Sequence, residues 1–210
     1  MRVCRVLMLC DAAAAYAKAA NIRFTEPLAL RFIAALRASG NGAGALRVLD
    51  IFLSQNPRSV PGLLLASDHF MATGQWDAAI GVLEGLRARL GNQDATLLNN
   101  LGWAWFGKGD SAKASDFAAA AYAIAPANPS VVNSYGWILY KSGKDRAGGV
   151  ALLQKAVAIA PAHPGLRFQL AQALIGVGRK AEAKPHLQAA LGVAEFPERK
   201  AAQALFATNY

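Results

Sequence analysis

One glycine recurs on a fixed period through most of the chain, and it leaves little freedom in how the polypeptide can fold. Gly40, Gly74, Gly109, Gly143 and Gly178 are spaced 34, 35, 34 and 35 residues apart. Each lies between two stretches whose apolar residues recur at helical spacing, such as Ala29, Phe32, Ile33 and Leu36 before Gly40 and Ala45, Leu49 and Phe52 after it. A glycine admits the positive-φ turn that folds two helices back antiparallel, which a residue with a Cβ resists. Pro27, Pro61, Pro129 and Pro164 stand where first helices would open, and Pro57, Pro126 and Pro161 where second helices would close. The period predicts five helical hairpins, at 26–59, 60–94, 95–128, 129–163 and 164–197.

The unit is sharpest over 95–163. Its first copy reads Leu98, Leu101-Gly102-Trp103, Trp105, Gly109-Asp110, Ala114, Ala118, Ala121, Pro126. The second reads Val132, Tyr135-Gly136-Trp137, Leu139, Gly143-Lys144, Gly149, Leu153, Ala156, Pro161. This pattern resembles the tetratricopeptide repeat, TPR. The resemblance implies an all-α fold, a right-handed superhelix (α-solenoid) of about five hairpins with terminal capping helices. With 54% hydrophobic residues the chain of 210 could bury a sizeable core, but repeats build it one layer at a time.

Both ends depart from the period. Asp11–Ala20 aligns with a second helix that no complete first helix precedes, so 1–25 is read as an N-terminal cap or the remnant of a longer solenoid. An export signal is the competing reading: Arg2 and Arg5 precede Val6-Leu7-Met8-Leu9, but Arg5 splits the apolar run and Asp11 closes it. No apolar run approaches the roughly 20 residues of a membrane span. Cys4 and Cys10 are the only cysteines, and no other ligand joins them at metal spacing. At the other end, 198–210 carries Ala202, Leu205 and Phe206 on one face, enough for a capping helix, and Pro185 should interrupt and bend the last second helix.

No catalytic constellation emerges, and no metal or cofactor is expected. His69, His163 and His186 stand apart from any nucleophile or paired carboxylate. Gly40-Asn41-Gly42-Ala43-Gly44 has the look of a phosphate loop, but it follows a helix, lacks the Gly-Lys-Ser/Thr ending and falls on a repeat turn. The 22 Lys and Arg against 13 Asp and Glu give a net charge of +9, which suits an acidic partner or surface. Along the sequence these cations are scattered and accompany no nucleic-acid motif, so a solvated basic exterior is the default and nucleic acid is not the expected ligand.

What remains is a surface. In TPR superhelices the first helices face the concave groove, and here that resemblance points to Asn99, Trp103, Phe106, Asn133, Trp137, Tyr140, Lys141, Phe168 and Gln172. Trp103 and Trp137, Phe106 and Tyr140, and Asn99 and Asn133 are each 34 apart and should stack in short ladders. Such ladders could hold a protein or peptide segment, aromatic faces taking apolar side chains and amides pairing with its backbone. Alternatively the indoles fill the packing between repeats. Trp76 and Trp105 are read as structural. Lys141 is the sole cation beside the groove aromatics, which departs from the Lys/Asn/Arg clamp some TPR domains use for C-terminal carboxylates.

The expectation is therefore a non-catalytic scaffold that binds a protein or peptide partner. The run from Tyr135-Gly136-Trp137 through Leu170-Ala171-Gln172-Ala173-Leu174 to Phe196-Pro197-Glu198-Arg199 is similar to the C-terminal end of bacterial TPR proteins of exopolysaccharide and PEP-CTERM sorting loci. That similarity implies an alternative: a structural piece of a larger envelope-associated solenoid, self-associating through its N-terminal repeat. A regulatory module for a separate enzyme is a further alternative. Location is cytoplasmic by default, or periplasm and envelope if the start is truncated.

Overall fold

The computed structural model describes residues 25–210, and every regular element in that range is an α-helix. The helices fall into two compact units, one ending at Leu86 and one running from Arg87 to Tyr210. The first unit holds α1 (Glu26–Ala38), α2 (Gly42–Gln55), α3 (Val60–Ala72) and most of α4 (Trp76–Leu90). After the last turn of α4, the second unit holds α5 (Ala95–Lys108), α6 (Ser111–Ile124), α7 (Pro129–Ser142) and α8 (Arg146–Ile159). It ends with α9 (Pro164–Gly176), α10 (Lys180–Leu191) and α11 (Arg199–Asn209). The expected N-terminal cap, with Cys4 and Cys10, lies outside the described residues apart from Thr25. Among the described residues no helix is long and apolar enough to cross a membrane.

Short polar side chains start these helices. Asp94 Oδ1 accepts from Thr96 N at 2.8 Å and Leu97 N at 3.0 Å, and Asp110, Asn128 and Asp145 cap α6, α7 and α8 in the same way. Each cap satisfies donors that the helix cannot pair internally. All five periodic glycines adopt positive φ, between 72° and 92°. At Gly109 (φ 92°) the reversal is closed by Gly109 N to Phe106 O and Asp110 N to Trp105 O, both 3.0 Å, which leads the chain from α5 into α6.

Small residues then bring the paired helices close together. A Cβ at Gly136 of α7 would lie 2.9 Å from Gly149 O of α8, and one at Gly149 would lie 2.7 Å from Gly136 O. The two backbones touch through this pair, with no room for a side chain. Around it the second unit buries a core that includes Val132, Leu153, Leu170, Leu174 and Leu187, and a smaller cluster of Ala114, Ala118 and Ile138 lies against Trp105 and Phe106. The first unit has its own, with Ile33, Leu36, Ala45, Leu49 and Ala66 from α1, α2 and α3. There Ser59 Oγ both caps α3 through Gly62 N (3.1 Å) and donates to Glu26 Oε2 (2.7 Å), tying the starts of α1 and α3.

The last hairpin is covered by α11. Ala202 is fully buried, Leu205 and Phe206 pack on the core, and Arg199 donates to the carbonyls of Leu191 and Val193. The helix α10 runs through Pro185, losing one backbone bond without ending. Beside it Arg167 Nη1 lies 3.3 Å from His186 Nδ1; a guanidinium can only donate, so this imidazole nitrogen accepts and carries no proton. Burial, followed by the Arg167 charge, pushes the His186 pKa below its usual value.

The two glycine roles separate by substitution. Gly109→Ala meets open space and should cost only the conformational strain, about 1 kcal/mol. Gly136→Ala drives a methyl into backbone and should cost more, about 2–3 kcal/mol. Urea unfolding followed by circular dichroism orders them, and equal losses would contradict the close contact of α7 and α8. For His186 the folded pKa lies below the unfolded one, so the unfolded chain binds the proton more readily and stability falls as pH drops through about 6.5. His186→Gln should therefore show a smaller loss of Tm between pH 7.5 and 5.5 than the wild type.

Candidate partner-binding face

Within the second unit, α5, α7 and α9 are the first helices of successive hairpins and lie side by side. Two polar links hold them in register. Trp103 Nε1 on α5 donates to Ser134 Oγ on α7 at 2.8 Å, and Ser134 donates onward to Ser130 O at 2.8 Å. Asn133 Nδ2 on α7 donates to Gln169 Oε1 on α9 at 2.5 Å. An indole N–H kept from water needs such an acceptor, so the first link fixes the tilt of the Trp103 ring as well as the helix offset.

Aromatic side chains stand on this scaffold in pairs one helical turn apart. Trp103 and Phe106 meet edge to face with centroids 5.8 Å apart, and Trp137 and Tyr140 repeat the 5.8 Å separation at a 41° tilt. All four are half-buried. Lys141 is exposed, its Nζ 5.6 Å from the Trp137 ring centre, within cation–π range. Tyr140 reaches across to α9, where a Cβ on Gly176 would lie only 1.9 Å from the Tyr140 hydroxyl. Gly176 is thus the seat of that ring, a role that periodicity in the sequence does not signal.

The remaining expected residues differ in exposure. Asn99 and Gln172 are half-buried, whereas Asn133 is 7% exposed and Phe168 4%. Phe168 occupies on α9 the place that Asn99 and Asn133 hold on α5 and α7, and its ring belongs to the core, so it supports the face from beneath. Asn99 and Asn133 share one feature: in each the side-chain oxygen is buried with no hydrogen-bond partner. Trp105 Nε1 and Ser115 Oγ, away from this face, are buried in the same way. Ser134 and Gln169, which the sequence reading passed over, each follow one of these positions directly, and that offset is the one signal that could have exposed them.

The first unit presents a different surface. Asp68 holds on α3 the place of Trp103 and Trp137, and with Arg37, His69, Gly42, Leu46 and Ala72 it borders a cleft of about 250 Å³. Arg37 Nη2 donates to Leu65 O at 3.2 Å. Desolvation raises the Asp68 carboxyl pKa and the Arg37 charge opposes it, although the residue as a whole remains open to solvent. No second carboxylate or nucleophile lines the cleft. Trp105 lies outside the candidate face: it packs against Ala114, Ala118 and Ile138, with Lys113 Nζ 3.8 Å from its ring centre.

Residues 144–207 match the tetratricopeptide repeat family model. The fold is a tetratricopeptide repeat fold. A thermophilic TPR protein from Thermus thermophilus superposes with a TM-score of 0.75 at 23% identity, covering 88% of this chain and 98% of that one. The Cut9 and Hcn1 hetero-tetramer of the APC/C aligns with 96% of this chain and 40% of the other, at a TM-score of 0.78 and 17% identity. MamA from Desulfovibrio magneticus aligns over 84% of this chain and 96% of its own, at a TM-score of 0.58 and 18% identity. Comparison with curated proteins gives no match.

The link between the first two helices of this face can be tested alone. Ser134→Ala should orphan the Trp103 N–H and lower stability by about 1–2 kcal/mol, while Ser142→Ala, whose hydroxyl bonds only its own helix and turn, should change it by less than about 0.5 kcal/mol. Thermal unfolding compares the two, and equal values would remove the indole–hydroxyl bond as a structural determinant.

Proposed function

We propose that this TPR chain is a non-catalytic scaffold that binds an extended segment of a partner protein across α5, α7 and α9 of its second unit. The observation that carries this reading is the repeated aromatic pair, Trp103–Phe106 and Trp137–Tyr140, each with centroids 5.8 Å apart. Large aromatics that keep one face open on a rigid support are what partner surfaces use as anchors, because they bury much area while losing little side-chain entropy. Asn99, Trp103, Phe106, Asn133, Trp137, Tyr140, Lys141 and Gln172 compose the face, with Phe168 beneath it.

The unpaired oxygen of Asn99 favours an extended segment over a helical one. A helix has already used its backbone N–H groups internally, whereas an extended chain has free donors to offer the Asn99 oxygen once that amide turns outward, Asn133 staying bonded to Gln169. The third hairpin carries Phe168, Gln172 and Ile175 at the corresponding places, so the aromatic anchor spans two hairpins and suits a short segment.

Display selection of random linear peptides on the full chain, followed by titration of the selected sequences, tests the proposal. Trp103→Ala/Trp137→Ala should weaken selected peptides by more than tenfold, about 1.4 kcal/mol, with helicity retained. Undiminished affinity in a variant of equal helicity would move binding off this face.

A further inference from the structure

The cations that look scattered along the sequence are gathered by the fold. In the second unit the turns at Gly109, Gly143 and Gly178 each join a first helix to its second helix. Because α5, α7 and α9 run side by side in register, these three turns share one edge of the unit. The segments 108–113, 141–146 and 179–184 that form them carry eight Lys and Arg against three Asp and Glu. Every one of the eight is exposed. The connections of the opposite edge, 91–94, 125–128 and 160–163, contain no Lys or Arg of their own and a single carboxylate, Asp94, with Arg87 reaching Asn92 Oδ1 and Arg167 reaching Pro161 O from the helices.

The three carboxylates on the basic edge are already engaged. Asp110 caps α6 and its Oδ2 lies 3.7 Å from Lys113 Nζ, Asp145 caps α8, and Glu182 is held by both Arg179 Nε (2.7 Å) and Nη2 (2.6 Å). From Lys108 and Lys113 through Lys144 and Arg146 to Lys180 and Lys184, the edge therefore projects positive charge over three hairpins. We propose that this edge is a second docking surface, and that its partner is an acidic, extended protein segment rich in Asp and Glu.

Two observations favour an acidic polypeptide over a nucleic acid or a membrane surface. Two aromatics at this edge are covered by its own cations: Trp105 has Lys113 and Lys108 over its ring at 3.8 and 5.3 Å, and Tyr210 has Lys184 at 5.3 Å and donates its hydroxyl to Lys180 O. The exposed large aliphatic side chains of the second unit, Leu90, Ile124 and Ile159, are 39–43% exposed but end the second helices, on the opposite edge. Spacing agrees as well. Neighbouring helices pack about 10 Å apart and an extended chain advances about 3.3 Å per residue, so carboxylates roughly three residues apart meet successive turns.

The surface is independent of the aromatic face except at Lys141, so the test avoids that residue. Fluorescent decaglutamate is titrated with the full chain by anisotropy, alongside a labelled single-stranded oligonucleotide and vesicles containing phosphatidylserine. Lys144→Glu/Lys180→Glu should weaken decaglutamate at least tenfold, whereas Arg31→Glu/Lys200→Glu, with the same change in net charge, should weaken it less than twofold. Equal weakening by both pairs would reduce the effect to net charge and overturn the proposal. So would binding of the oligonucleotide or the vesicles with no binding of decaglutamate.

Discussion

No hairpin in the second unit buries its own apolar faces. Val132 on α7, Leu153 on α8, Leu170 on α9 and Leu187 on α10 belong to one cluster, so each layer is completed by the next and the last is closed by α11. Stability in such a stack is a sum of weak units and strong interfaces, and losing one layer exposes its neighbours. The close approach of Gly136 and Gly149 is part of the same constraint, since wider spacing of α7 and α8 would leave the leucines around them without contact. Everything a partner could touch depends on this register being held.

The polar links across α5, α7 and α9 add direction to that burial. Apolar packing tolerates small shifts of one helix along another, whereas the Trp103–Ser134 and Asn133–Gln169 bonds do not. They place two aromatic pairs at matching heights and leave two amide oxygens unsatisfied between them.

Much of this was legible in the sequence because the repeat indexes everything onto one template. The glycine period located the five positive-φ turns inside the hairpins, though not Gly91 between α4 and α5, and the spacing of Trp103 and Trp137 placed equivalent rings on equivalent helices. What the period could not convey was contact between unlike positions. Ser134 and Gln169 matter because each meets a residue of a neighbouring helix, and Gly176 because Tyr140 arrives from another hairpin. Phe168 was placed with the groove on register alone; which way a side chain at a repeat position turns depends on what its neighbours leave empty, and here the core took it.

Charge shows the same limit most clearly. Lys113, Lys144 and Lys180 are separated by more than thirty residues each, so a reader moving along the chain sees isolated cations. A solenoid converts that separation into adjacency, because equivalent residues in successive hairpins become neighbours. The polar composition of its edges is therefore a property of the repeat template, with cations in the hairpin turns and Ala-Pro-Ala in the connections at 125–127 and 160–162. The turns of one edge are basic while the connections of the other hold no Lys or Arg of their own, and the aromatic face lies on helices whose ends border both. A partner that uses the face and the basic edge together would be oriented along its length before its apolar side chains engage, since electrostatic attraction acts at longer range than contact.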